Sequence, residues 1–204
     1  MAVVPLGNAA FATRTVSAGI VPIGSGRRLI GHLHANAPTP LIRRQYLSYI
    51  WTREGWLYLA VVLDLYSRRV VGWAVGDRLH KELALTALRR ALVVRQPGPG
   101  LLHHSDRGSQ YCSNEYQAEL RRNDIVISMS GKGNCYDNAM VETFFKTLKS
   151  ELVWRTAFQT RAEAIVALAR YIDGFYNPRR RHSALGFTSP TQFERGSANQ
   201  TALH

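Results

Sequence analysis

Two aromatic and β-branched runs, Trp56-Leu57-Tyr58-Leu59-Ala60-Val61-Val62-Leu63 and Arg69-Val70-Val71-Gly72-Trp73-Ala74-Val75, are separated only by Asp64-Leu65-Tyr66-Ser67-Arg68. Such composition suits a pleated, half-buried surface, and the short link allows only a reversal, so the segment predicts two antiparallel strands. A preceding strand over Tyr46–Trp51, joined through the turn Arg53-Glu54-Gly55, would complete a three-stranded meander.

Beyond the meander the period changes. Leu83, Ala87, Leu88, Ala91 and Leu92 fall at helical spacing between Lys81 and Arg95, and Pro97-Gly98-Pro99-Gly100 stops the helix. Leu101–Asp106 reads as a short buried strand that ends in a carboxylate. Ser113 can cap a helix to about Asn123, and Ile125–Met129 supplies a further strand before the glycine-containing loop Gly131-Lys132-Gly133, expected to be mobile. Asp137 can cap a long helix to about Val153. Thr160-Arg161-Ala162-Glu163 has the form of a capping box for another helix, ending near Asn177-Pro178. Three strands, alternating helix and strand, then helices define an α/β fold of the ribonuclease H-like order, with a mixed five-stranded sheet flanked by helices.

Residues 1–44 contain no Asp or Glu, are rich in Ala, Gly and Pro, and hold neither period for long, so they read as a poorly ordered segment. An acid-free, Arg-containing start also suits an organellar leader, but Arg14, Arg27 and Arg28 are scattered among Pro and Gly and outline no amphipathic helix. The domain plan is therefore a non-core segment over 1–44, a core over 45–195 with a helical C-terminal part, and a tail over 196–204.

Lys and Arg number 26 against 14 Asp and Glu, a formal charge of +12, which favours a polyanionic partner, nucleic acid first. No run approaches the roughly 18 apolar residues of a membrane span, so a cytoplasmic protein without membrane contact is expected. Cys112 and Cys135 form no CxxC pair and suggest neither a disulfide framework nor a zinc site.

Asp106 ends a strand before the small-residue turn Arg107-Gly108-Ser109, where a carboxylate can face a cleft, although an Asp in a turn is the plainer alternative. Glu142 shares a helix face with Asn138, Lys146 and Lys149; a solvated Glu–Lys face is the plainer reading there. Together, a strand-end and a helix carboxylate beside two lysines suit magnesium, which takes one or two protein carboxylates and leaves the other positions to water and phosphate. Arg179-Arg180-Arg181-His182 is either a solvated charge run or a set of phosphate contacts. His103 and His104 face opposite sides of a strand and cannot chelate together, one of them being expected in the core. Trp56, Trp73 and Trp154 are expected to pack against apolar neighbours.

The segments Gly55–Arg68, His104-Ser105-Asp106-Arg107-Gly108-Ser109-Gln110-Tyr111, Asp137–Phe145 and Tyr176–Gly186 together resemble bacterial insertion-sequence transposases related to retroviral integrases. The 35 residues between Asp106 and Glu142 (142 − 106 − 1) match the second half of that family's Asp-Asp-Glu triad. The resemblance implies metal-dependent phosphodiester cleavage and strand transfer with Mg2+ or Mn2+, on mobile-element ends and target DNA, within a self-associating assembly. Asp106 and Glu142 are then the catalytic metal ligands, with Lys146, Lys149, Arg179, Arg180, Arg181 and His182 on DNA. Aligning Ser48-Tyr49-Ile50 with the family's first strand puts Tyr46 where the first triad Asp belongs. At neutral pH its phenol is uncharged and a poor magnesium ligand. Asp64 ends the second strand and is not the triad position. The resemblance stops abruptly upstream of Tyr46, as a frameshift would leave it. A degenerate, non-catalytic DNA-binding remnant and a plain basic nucleic-acid-binding module remain the alternatives.

Overall fold

The computed structural model describes residues 42–106, 108–129 and 139–201. The glycine-containing loop at 131–133, the Asp137 cap and residues 1–41 lie outside the described residues.

Five strands form a single mixed sheet, β1 (Ile42–Thr52), β2 (Gly55–Asp64), β3 (Val70–Gly76), β4 (Leu102–Ser105) and β5 (Val126–Met129), in the order β3-β2-β1-β4-β5. The meander is antiparallel, and β4 and β5 join in parallel after crossovers through α1 (Lys81–Arg95) and α2 (Asn114–Arg122). α3 (Ala139–Glu151), α4 (Arg161–Tyr171) and α5 (Pro190–Thr201) follow. The expected fold class is the one observed, and α1 occupies the expected span.

β2 fixes the layers, because its alternation buries both faces. Leu57, Leu59, Val61 and Leu63 pack with Val141, Phe144 and Leu148 of α3 and with Ala164 and Leu168 of α4. Ala60 and Val62 pack on the opposite face with Leu83, Ala87 and Ala91 of α1. α1 approaches β3 so closely that a Cβ on Gly72 would lie 2.3 Å from the carbonyl oxygen of Ala87, so only glycine fits there.

The local signals act as read, with one variation. Ser113 Oγ accepts from the Tyr116 N–H, and Thr160 Oγ1 accepts from the Glu163 N–H. The Glu163 carboxylate accepts from Gln159 N–H at 2.8 Å, one residue before the position a capping box uses. α4 widens into a π-helical turn, Ile172–Tyr176, before Pro178.

Several boundaries differ from expectation. β1 begins at Ile42, because Ile42 pairs with β4 and Arg43 and Arg44 pair with both β2 and β4, so the first three residues of the strand belong to the segment expected to be poorly ordered. Residues 196–201, expected as tail, continue α5, which Glu194 anchors through Arg69 at 2.7 Å and through Arg95. His103 and His104 are both buried, and their rings bond Tyr116 Oη of α2 at 2.8 Å and Ser128 Oγ of β5 at 2.9 Å. Trp154 is exposed, and Trp56 is exposed apart from ring contacts with Tyr49 and Trp51. No helix among the described residues is long and apolar enough to cross a membrane.

Candidate catalytic site and nucleic-acid interface

The centre of the sheet is where the site forms, because β1 changes there from antiparallel pairing with β2 to parallel pairing with β4. The β1–β4 register runs Ile42↔Leu102, Arg43↔His103, Arg44↔His104. Continued by two residues on each strand, it brings Tyr46 abreast of Asp106. Both groups oppose the ionisation of the buried Tyr111 phenol, after burial itself, which fits that neighbourhood.

Asp106 lies just past the end of β4 and is half-buried. Its Oδ1 accepts from the Gly108 N–H at 2.8 Å, and a Cβ on Gly108 would stand 2.9 Å from the same oxygen. Glycine therefore both holds and makes room for the carboxylate.

Glu142 is exposed in the first turn of α3. Val141, Phe144 and Leu148 pin the opposite side of the helix to the core. Met140, Thr143 and Phe144 lie near Leu63, whose partner on β1 is Arg44, whereas Lys149 Nζ lies 5.1 Å from the ring centre of Tyr49. α3 thus follows β1 in the same direction. Seven helical residues at about 1.5 Å and three strand residues at about 3.3 Å both span about 10 Å. Glu142 therefore stands level with Tyr46.

Tyr46, Asp106 and Glu142 thus come from the three elements a carboxylate triad would use, with a phenol in one of the three places. Among the described residues no group of three or more His, Cys, Asp and Glu side chains could hold a metal ion. The donors present fall short of a two-ion centre, which needs carboxylates on both ions and one shared between them.

Asp64 belongs to a turn. Its buried carboxylate accepts from the N–H groups of Tyr66 and Ser67 at 3.0 and 3.1 Å, and Arg95 lies 3.5 Å away.

Of the basic candidates, Lys146, Arg179 and Arg181 are exposed. Arg180 clamps the Glu151 carboxylate through Nε and Nη2 at 2.8–3.1 Å, while Tyr171 Oη donates to it at 2.7 Å, so Arg180 joins the C-terminal segment to α3. His182 is half-buried with its ring against Tyr176. Burial, then the charges of Arg180 and Arg68, bring its pKa down to about 4. A neutral imidazole is a weak phosphate ligand. Sequence reasoning missed Arg68, whose backbone takes a left-handed turn (φ 61°) and whose guanidinium reaches Met140 Sδ at the start of α3. Only the fold brings it beside α3.

These features define an integrase-type core with a partial acidic centre. Two family models, both described as Integrase core domain, match residues 46–135 and 123–190, and the chain belongs to that family. It carries the integrase-like core of a bacterial insertion-sequence transposase. The chain is 48% identical over 149 residues to the transposase for insertion sequence element IS904 of Lactococcus lactis subsp. lactis, covering 73% of this chain and 59% of that protein. It is 49% identical over 148 residues to transposase InsF for insertion sequence IS3A of Escherichia coli, covering 72% and 51%. The Insertion element IS600 uncharacterized 31 kDa protein of Shigella sonnei is 50% identical over 147 residues, covering 72% and 54%. The chain spans about half the length of these relatives. In fold it is similar to the HTLV-2 integrase catalytic core domain in complex with magnesium, with TM-score 0.56 at 15% identity, covering 76% of this chain and 95% of that one. The BIV integrase catalytic core domain gives 0.55 at 16%, covering 80% and 99%.

Proposed function

We propose that this chain binds the DNA of a mobile element as a transposase core whose strand-cleaving centre is incomplete. The observation that carries the reading is Tyr46 in line with Asp106 and level with Glu142, where cleavage and strand transfer require a third carboxylate. Asp106 and Glu142 are the remaining catalytic-site and metal-site residues. They are oxygen donors that suit a single Mg2+ or Mn2+ held weakly, and no cleavage step follows from two of them alone.

Lys146 and Lys149 on α3, with Arg179 and Arg181 after the π-helical turn, contact DNA phosphates. Arg180 positions that segment through Glu151, and His182 supports it through Tyr176. Phosphate contacts fix register without reading sequence. The net charge of +12 supports the affinity, and similarity to transposases supports mobile-element ends and target DNA as partners, with self-association on DNA. A core that binds without cutting would compete with intact transposase or join it in mixed assemblies.

Anisotropy with element-end duplex DNA, followed by a nicking and strand-transfer assay in Mg2+ and in Mn2+, tests this. Salt-sensitive binding without product is expected. Metal-dependent product from the unsubstituted chain would overturn the reading, as would absence of DNA binding.

A further inference from the structure

Beyond Arg44 among the described residues, β1 has no parallel partner, and at the end of the β1–β2 hairpin Ile50 and Leu57 pack toward Phe158 and α4 while the other face is left open. Four large rings gather there in the open. Tyr49, Trp51, Trp56 and Trp154 are 56%, 57%, 43% and 72% exposed. Trp56 meets Tyr49 and Trp51 in T-shaped contacts at centroid separations of 5.0 and 4.8 Å. With Arg53 and Lys149 they line a groove of about 410 Å³ that has no carboxylate in its wall. The nearby Glu54 carboxylate is taken up by the Arg161 N–H at 2.8 Å. Lys149 Nζ sits over the Tyr49 ring at 5.1 Å.

Exposed rings cost solvation free energy, and a monomeric surface does not usually gather them, so the patch points to a ligand. Its chemistry is flat apolar faces framed by cations without a counter-acid. That suits a chain of stacking bases with an anionic backbone better than it suits an apolar protein face. The groove also lies about 10 Å along α3 from Glu142, on the helix that carries Lys146 and Lys149.

We propose that this hairpin is a stacking platform for unpaired nucleotides of DNA, Trp51 and Trp154 receiving bases while Lys149 and Arg53 hold the adjoining phosphates. Strands separated at a DNA end would lie across it, leading into the site at Asp106 and Glu142. The inference rests on the DNA-binding reading above and adds a class of DNA and a place for it.

The test compares a labelled oligothymidylate with a blunt duplex on the full chain and on W51A, W154A and R181A. W154A removes an exposed side chain with little consequence for folding, which circular dichroism checks. Each tryptophan substitution is expected to weaken single-strand binding by about tenfold while changing duplex binding less than about twofold. R181A is expected to weaken both. Oligothymidylate should quench tryptophan fluorescence less in the W51A and W154A chains. Unchanged single-strand affinity in both tryptophan variants overturns the platform and leaves duplex binding standing. So does dissociation of a self-associated species by W51A without loss of single-strand affinity, which would make the patch a protein interface. Failure of the unsubstituted chain to bind either DNA removes both readings.

Discussion

Tyr46 on β1 and Asp106 at the end of β4 both bear on the buried phenol of Tyr111, whose ionisation burial opposes first and these two neighbours oppose further. On the proposed reading, a third carboxylate would stand at position 46, where the strand pair sets a phenol beside one acid. Neighbouring carboxylates repel unless a cation lies between them, so replacing one by a neutral ring relaxes the apo site while weakening its hold on a divalent ion.

Gly108 is expected to matter through Asp106. In G108A the new methyl group stands 2.9 Å from Asp106 Oδ1 and 2.8 Å from Gln110 Oε1, so the short carboxylate side chain must turn away. Urea denaturation should show a loss of about 1 kcal/mol, while Mn2+ affinity falls by several-fold. Equal loss of both on the same scale in a variant distant from the site would point to general destabilisation instead.

Asp64 is expected to behave as a turn residue. D64A removes the acceptor for two backbone N–H groups and one carboxylate partner of Arg95, costing about 2 kcal/mol or more of stability. Metal affinity, measured by titration calorimetry under folding conditions, should be unchanged. A loss of metal binding would make Asp64 a ligand of the metal site and contradict its role as a turn residue.

His182 is expected to impose an acid limit on stability. Its pKa is about 4 in the folded chain against an ordinary 6.5, because burial and the Arg180 and Arg68 charges oppose its proton. The unfolded chain therefore takes up that proton first. The contribution is complete above pH 6.5 and is lost as pH falls toward 4. H182Q should flatten the fall in urea midpoint across that window relative to the unsubstituted chain. Parallel curves would contradict the assignment.

What the sequence makes legible follows the range of the forces involved. α1 and the caps at Ser113 and Thr160 are read correctly because spacing and capping act within a few residues. The start of β1 and the end of α5 are not. Arg43 and Arg44 become strand because Asp64, Leu63, His103 and His104 lie on either side of them. α5 carries Gly196, Ser197 and Asn199, poor helix formers, and is held by Arg69, Arg95 and the Tyr66–Phe193 ring contact. Alternation puts His103 and His104 on opposite faces of β4 but does not reveal that both are buried, one against Tyr116 of α2 and one against Ser128 of β5. Position and spacing single out Asp106 and Glu142 as candidates, whereas the duty of Arg180 toward Glu151 required the packed C-terminal segment. The apolar sequence neighbours of Trp56 and Trp154 suggest packing, but sequence does not show which face of the hairpin end stays open.

Mn2+ binding to the unsubstituted chain, Y46D and the Y46D/E142Q double variant, followed by electron paramagnetic resonance, tests the central claim most directly and does not depend on parts that relatives have outside this chain. A carboxylate beside Asp106 should tighten Mn2+ binding by about tenfold or more, and removing the charge of Glu142 should undo the gain. Equal affinity of Y46D and the unsubstituted chain, with the fold intact, would show that position 46 is not the missing corner of the metal site.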